Sequence, residues 1–346
     1  LLESVFEFMR IGKNPQIDKS LHSSDYFHQV IVPVYIPNNE DYFKDSFNVF
    51  KITVDSLLKT SHSKTFISIV NNGSSAEVAT YLEELYHKGK IHELIHTNNI
   101  GKINAINKAL IGQSFSVVTM ADADVLFLNG WQKSVYDILD AFPKAGAVCT
   151  TPNSRTLKKL TENIYFDQFF SKSLRFAQVK DPQAMIDFAE STGNNWVYRP
   201  IHLEKYLTVN RHNVSAVVGA GHYVCTYRRD ALPQNGFANT HTLLGNNLME
   251  PIDIGIIKKG YWRLSTEQNF TYHMGNHTED WMYNKLNDLI EEKQSILKPE
   301  WVSVTSSLFL NWFKLNVFGR LLFSRHILWK NFLRFKGLKK EEAKDY

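Results

Sequence analysis

Two carboxylates separated by one small residue, Asp122-Ala123-Asp124, follow the β-rich run Phe115-Ser116-Val117-Val118-Thr119-Met120 after Ala121. In an extended chain residues i and i+2 point to the same side, so both carboxylates leave the strand end in one direction. That arrangement binds a hard divalent cation, Mn2+ or Mg2+, through one or both side chains and keeps positions open for phosphate oxygens. A fixed cation offsets the negative charge that develops on a departing phosphate group.

A second pattern points to different chemistry. His92-Glu93-Leu94-Ile95-His96 fits the H-E-x-x-H signature of zinc metallohydrolases, in which two histidines one helical turn apart share a metal. Here the motif lies between Gly89-Lys90 and Asn98-Asn99, an interval that suits a strand. On a strand the two imidazoles would stand about 13 Å apart, too far for one zinc. Metal content separates this rival from the first reading.

The elements that must position these groups are legible in residues 29–150, where short β-rich runs alternate with helical patterns. The strand candidates are Val30–Val34, Thr65–Val70, Glu93–His96, Ser116–Met120 and Ala147–Thr150; Val78, Leu82 and Leu85, and Trp131, Val135, Ile138 and Phe142, sit at helical spacing. This is the signature of an α/β fold with a mostly parallel sheet flanked by helices. Ligands bind such sheets beyond the carboxyl ends of the strands, which directs attention to Tyr35, Asn71-Asn72-Gly73, Asn98 to Lys102, and Asp122 to Asp124. Residues 151–215 show no pattern that fixes an architecture and read as an insertion. Order returns from Ala216 to about His277, with a strand-like Tyr223–Tyr227 and a helix-like Ile252–Lys259 stopped by Gly260.

Four motifs in this order resemble family 2 glycosyltransferases with the GT-A fold: Ile31-Val32-Pro33-Val34-Tyr35, Ile69-Val70-Asn71-Asn72-Gly73-Ser74, Asn98-Asn99-Ile100-Gly101-Lys102 with Asn107-Lys108-Ala109-Leu110, and the Asp-x-Asp itself. The resemblance implies that Pro33, Val34 and Tyr35 border the nucleobase, that the Asn71/Asn72 turn contacts it, and that Lys102 lies near base or ribose. Asp122 would face ribose or metal, Ala123 would lie between the two carboxylates at the nucleotide, and Asp124 would ligate the metal. The family usually carries Asp where this chain has Asn71 and Asn72, and an amide can still present an acceptor to a uracil N–H. Downstream, Gly219-Ala220-Gly221-His222-Tyr223 resembles the family's acceptor-side segment, placing Gly221 and His222 beneath the donor sugar. Glu250 or Asp253, at the entry of a helix, would supply the base that takes the acceptor hydroxyl proton. His273, in Tyr272-His273-Met274-Gly275-Asn276-His277, matches the late histidine that completes the metal shell in many such enzymes. The function implied is inverting transfer from a nucleotide-sugar, a UDP-sugar first, to a glycan or lipid-linked glycan in bacterial surface-polysaccharide synthesis. The alternatives are the zinc hydrolase and a catalytically silent nucleotide-sugar-binding module.

Composition bounds these readings. The chain has 346 residues, 43% apolar and 21% charged, enough for a large core, and a net charge of +4 without a polybasic run in its first 300 residues, so nucleic acid is not an expected partner. Two cysteines, Cys149 and Cys225, suggest no disulfide framework and a reducing compartment. From Trp301 to Lys340 there is no acidic residue, while eight cations interleave with aromatics such as Trp312, Phe313, Phe318, Trp329 and Phe335. That stripe reads as an interfacial amphipathic surface rather than a membrane span, and places the protein in the cytoplasm on the inner membrane face. The expected divisions are an N-terminal extension at 1–28, a nucleotide-sugar-binding half at 29–150, an acceptor-side half with insertion at 151–280, and a C-terminal amphipathic helical region at 281–346.

Overall fold

The structure is a computed structural model that describes residues 12–20, 24–194, 196–244, 249–294 and 296–346. The first part is three strand and helix pairs and a fourth strand: β1 (His28–Val34), α1 (Ser46–Thr60), β2 (Thr65–Asn72), α2 (Ala76–His87), β3 (Glu93–Thr97), α3 (Lys102–Leu110) and β4 (Val117–Ala121). There follow β5 (Val125–Phe127), α4 (Trp131–Ala141), β6 (Ala145–Cys149), α5 (Glu162–Gln168), β7 (Leu174–Gln178), α6 (Pro182–Ser191), α7 (Pro200–Glu204), β8 (Lys205–Arg211), β9 (Val214–Val218) and β10 (Val224–Arg228). The last part contains α8 (Glu250–Lys258), β11 (Trp262–Thr266), β12 (Thr271–His273), α9 (Asp280–Asp288), α10 (Leu308–Phe313), α11 (Arg320–Ser324), α12 (His326–Phe335) and α13 (Lys340–Asp345).

Ten strands form one sheet in the order β3-β2-β1-β4-β10-β6-β11-β9-β8-β7. The first four are parallel, and β10 enters antiparallel between β4 and β6. Strand alternation explains the layering. Val30, Val32 and Val34 of β1 pack with Phe50, Val54 and Leu57 of α1 and Val78 and Leu82 of α2, whereas Ile31 points to the opposite face with Ile103 and Ile106 of α3 and Ile252 and Ile256 of α8. A sheet covered on both faces needs near-continuous apolar strands, which is what β1, β2 and β4 carry.

Residues 174–211 do not form a separate excursion. Strands β7 and β8 extend the same sheet as an antiparallel edge through β9. Their pattern was unreadable because β7 alternates only partly, with Leu174 buried and Arg175 exposed, in a strand of five residues.

The C-terminal stripe divides in two. Trp329, Phe332, Leu333 and Leu322 are buried against Tyr165 and Leu207 in the main core. Lys314 and Lys336 are buried as well: Lys314 donates to Asp167 Oδ1 at 2.6 Å, and Lys336 donates to the carbonyls of Gln168 and Ser171 at 3.1 and 2.9 Å. Part of the expected membrane surface is thus internal packing, with the two lysines satisfied inside it. Phe309, Trp312, Leu321, Ile327 and Phe335 remain exposed. No helix among the described residues is long and apolar enough to cross a membrane.

Candidate active site

Asp122-Ala123-Asp124 leaves the carboxyl end of β4 and is clamped on three sides by backbone contacts. The Asp122 N–H donates to the Tyr223 carbonyl at 2.8 Å, and the Ala123 carbonyl accepts from Thr53 Oγ1 on α1 at 3.0 Å. The Asp124 carbonyl accepts from the Met274 N–H at 2.8 Å. That last bond belongs to a two-stranded ribbon in which β12 runs antiparallel to β5 and His273 is the register partner of Val125. The ribbon brings a histidine from far down the chain beside Asp124.

His273 Nε2 lies 3.3 Å from Asp124 Oδ2, its Nδ1 lies 3.1 Å from Ser191 Oγ at the end of α6, and the ring stands edge-on to Tyr223 at 5.6 Å between centroids. Asp122, Asp124 and His273 offer ligand atoms all within 4.8 Å of one another. Lys102, the first residue of α3, forms an ion pair with Asp122 Oδ1. Burial pushes the Asp124 carboxyl up, the neighbouring Asp122 adds to this, and His273 and Lys102 oppose it. Asp124 Oδ1 is buried without a hydrogen-bond partner. Two carboxylates, one of them with an orphaned buried oxygen, and one imidazole form a donor set that fits a divalent cation, and the imidazole suits Mn2+ better than Mg2+.

These groups form one wall of a cleft of about 560 Å³. Pro33, Val34 and Tyr35, at the end of β1, form another wall together with Ile36, Tyr42 and Phe43. Tyr35 is 40% exposed and packs edge-on to Phe43 at 5.8 Å. Asn99, within the Asn98 to Lys102 segment, lines the cleft as well; Tyr42, Phe43, Leu243 and Leu244 also line it and were missed from sequence. The available signal for the first pair was two adjacent aromatics soon after a strand's carboxyl end, in a polar loop.

Leu243 and Leu244 belong to a strap, residues 237–244, tied down by α3. Asn107 donates to the Phe237 carbonyl and accepts from the Phe237 N–H, both at 2.8 Å. Asn104 does the same for Thr240, at 2.9 and 3.0 Å. The Lys102 N–H donates to the Leu243 carbonyl at 3.1 Å. Gly101, at φ 85°, leaves room for the strap: a Cβ there would lie 2.8 Å from the Thr242 carbonyl oxygen.

Asn71 and Asn72 part company. Asn72 lines the cleft, but its side chain braces the next loop, accepting from the Ile100 N–H at 2.9 Å and donating to Asn99 Oδ1 at 3.2 Å. Asn71 does not line the cleft. It accepts from the Ser74 N–H at 2.9 Å and donates to His96 Nδ1 at 3.0 Å, so its amide is spent on the turn and on β3 rather than on a base.

The H-E-x-x-H reading is overturned. Glu93 to His96 lie on β3, where successive side chains alternate. His92 Nδ1 accepts from the Ile67 N–H at 3.1 Å, and His96 serves Asn71. Neither histidine joins the one candidate metal cluster found among the described residues.

The residues expected on the acceptor side connect to this site through Tyr223. Tyr223, bonded to Asp122, follows Gly221-His222, and His222 Nε2 lies 3.2 Å from Asp253 Oδ2. Asp253 is fully buried on α8, with Arg263 Nη2 2.7 Å away. Arg263 also donates to the carbonyls of Lys159 and Ala220 at 3.0 and 2.9 Å. Burial outweighs the Arg263 attraction and pushes the Asp253 carboxyl up to about 6. Burial, with Arg263, Lys159 and Lys102 nearby, pushes His222 down to about 3, so its ring is neutral. Glu250, the first residue of α8, is one-third exposed, with Lys159 Nζ 3.9 Å away. None of Gly221, His222, Glu250 and Asp253 lines the 560 Å³ cleft.

Among solved structures the chain is similar to a mannosyltransferase from Pyrobaculum calidifontis in complex with GDP-Man and Mn2+, at 15% identity and a TM-score of 0.40, covering 70% of this chain and 55% of that one. It is also similar to the 1–349 fragment of S. aureus TarS in complex with UDP, at 13% identity and a TM-score of 0.37, covering 75% of this chain and 62% of that one. The chain thus spans less than two thirds of the length of either. No curated protein matches it in sequence. The profile named glycosyl transferase family 2 matches residues 30–207, which is more than half of the 346 residues and takes in Lys102, Asp122 and Asp124. The chain therefore belongs to glycosyl transferase family 2, with an α/β fold whose central sheet is flanked by helices.

Proposed function

We propose that the protein is an inverting, metal-dependent glycosyltransferase that moves a sugar from a UDP-sugar to a hydroxyl of a glycan or lipid-linked glycan in bacterial surface-polysaccharide synthesis. The observation that carries the metal reading is the convergence of Asp122, Asp124 and His273 beside Lys102 in one cleft. These three residues would hold Mn2+ or Mg2+, and a cation there supplies charge neutralisation for a diphosphate leaving group. Lys102 adds a positive charge on the same side. The aromatic wall of Tyr35, Tyr42 and Phe43 supports a base-stacking platform, with Pro33 and Val34 beneath it.

Glu250 is the better base of the two candidates. It is accessible, whereas Asp253 is enclosed by Arg263 and His222. In the reaction the acceptor oxygen bonds to the anomeric carbon as the bond to the diphosphate breaks, and the hydroxyl proton passes to Glu250. One displacement from the face opposite the leaving group inverts the carbon. Asp253 acts as a positioning residue, fixing Arg263 and His222 and, through Arg263, the carbonyls of Lys159 and Ala220. The exposed aromatics of α10 and α12 support peripheral seating on the inner membrane face.

Calorimetric titration with UDP, GDP and CDP, with and without Mn2+, tests this reading. Metal-dependent binding that prefers UDP and is lost in Asp124→Asn is expected. Metal-independent binding, or equal binding by Asp124→Asn, overturns the metal site; nucleotide binding without turnover on any acceptor marks a silent module.

A further inference from the structure

The imidazole of His273 sits in a socket whose walls belong to α6 and to Tyr223, just ahead of β10. The Tyr223 ring stands edge-on to it at 5.6 Å, and Phe188, in the last turns of α6, stands edge-on at 6.2 Å while stacking on Tyr223 at 5.2 Å. Tyr223 is fixed in turn. It is buried, its hydroxyl bonds to Thr151 and to the Thr271 carbonyl, and its own carbonyl takes the Asp122 N–H. Such packing holds the plane of the imidazole, yet it does not choose which ring nitrogen carries the hydrogen or which of two flipped orientations the ring takes.

Ser191, the last residue of α6, makes that choice. A hydroxyl has one hydrogen to give, and Ser191 donates it to the Phe188 carbonyl, one turn back along the helix, at 2.9 Å. Its oxygen meets His273 Nδ1, 3.1 Å away, as an acceptor. Nδ1 therefore carries the hydrogen and Nε2 keeps a lone pair. Nε2 faces Asp124 Oδ2 at 3.3 Å, on the carboxylate whose Oδ1 is buried without a partner. Two acceptors turned toward each other are the arrangement that a shared cation satisfies. The opposite tautomer would bond Nε2–H to Asp124 directly and remove the lone pair that a cation needs.

We propose that Ser191 is the positioning residue of the metal site: by accepting from Nδ1–H it holds the His273 ring in the tautomer and orientation that present Nε2 to a divalent cation beside Asp124. This rests on the metal reading above and adds a residue and a role to it. Partners on the far nitrogen of a ligating imidazole govern about ten- to hundredfold of metal affinity. Helix α6 comes from the stretch expected on the acceptor side, and through Ser191 and Phe188 it serves the carboxylate cluster instead.

Two readouts on the full chain test it. Binding of Mn2+ alone, followed by the electron paramagnetic resonance of the free ion, should weaken about tenfold or more in Ser191→Ala and far less in Ser191→Thr, which keeps the hydroxyl. Mg2+ leans less on an imidazole and should lose less, so the preference for Mn2+ narrows. On a His273→Gln background Ser191→Ala should cost nothing further, because its effect passes through the ring. Nitrogen NMR of the metal-free protein, well above the ordinary histidine pKa, should show His273 as the Nδ1–H tautomer in wild type and as a mixture in Ser191→Ala. An Nε2–H tautomer in wild type overturns the proposal, as do additive losses with His273→Gln or an equal loss in Ser191→Thr at unchanged melting temperature. Wild-type Mn2+ affinity in Ser191→Ala removes this role alone and leaves the metal reading standing. Absence of Mn2+ binding in the wild-type protein removes the metal reading, and this role with it.

Discussion

Replacing Asn107 with Ala should loosen the strap over the 560 Å³ cleft without touching Asp122, Asp124 or His273. Asn107 is buried and gives the Phe237 backbone two hydrogen bonds of 2.8 Å. A net worth of about 1 kcal/mol per bond makes the loss about 2 kcal/mol, roughly a thirtyfold shift toward the released strap. The pairs from Asn104 to Thr240 and the bond from Lys102 to Leu243 remain, so release begins at Phe237 and weakens toward Leu244. Nucleotide affinity falls by the fraction of molecules whose strap is out of place, so thirtyfold is the ceiling for Asn107→Ala. Adding Asn104→Ala should move the loss toward that ceiling and couple non-additively, because both side chains hold one segment. Calorimetry of UDP with Mn2+ reads the affinity, and amide exchange over residues 237–244 reads the release. Faster exchange with unchanged affinity would show that the strap covers the cleft without contributing to it. Unchanged exchange would refute the anchoring argument itself.

Glu250→Gln should abolish sugar transfer and leave Mn2+-dependent nucleotide binding intact, whereas Asp253→Asn should lower the melting temperature as well as the rate, since Arg263 loses its charge partner; calorimetry and product analysis on the two proteins separate these roles. Acid should unfold the protein through His62, which burial pushes down from 6.5 to about 4. The folded state binds fewer protons there, so the stability this group permits is present above pH 6.5 and is lost, by about 3 kcal/mol, as pH falls toward 4. Urea melts of His62→Asn should show a flatter dependence over that window, and an unchanged slope would exonerate the residue. Gly73→Ala should destabilise the Asn71–Ser74 turn by about 1–2 kcal/mol or more, because Gly73 holds φ 90° and a Cβ would lie 2.8 Å from the Asn99 nitrogen. Thermal melts check this, with weaker UDP binding expected alongside.

The fold was legible wherever a short range of chain carried its own pattern. Strands β1, β2 and β4 are buried on both faces and stand out as β-rich runs, and the expected Thr65–Val70 is lengthened only by Asn71 and Asn72, whose polarity hid their place in the strand. The pair of carboxylates was legible because a strand end makes residues i and i+2 coincide. What Asn71 does was not, because its partner His96 is set by the register of β2 on β3, a pairing that no local pattern encodes. Asp253 was read as a candidate base at a helix entry, and its enclosure was not legible because its partner Arg263 arrives on a separate strand, β11. The C-terminal stripe misled in part, since a cation interleaved with aromatics looks the same whether it faces lipid or, like Lys314, the part-buried Asp167.

The ribbon of β5 and β12 has a consequence for how the enzyme comes into being. The imidazole beside Asp124 arrives on a strand 149 residues later in the chain (273 − 124). Pro33, Tyr35 and both carboxylates are therefore synthesised well before their third partner. A chain ending before Thr271 lacks His273 and the β5–β12 ribbon. The cluster of Asp122, Asp124 and His273 therefore assembles only after the last short strand has been made.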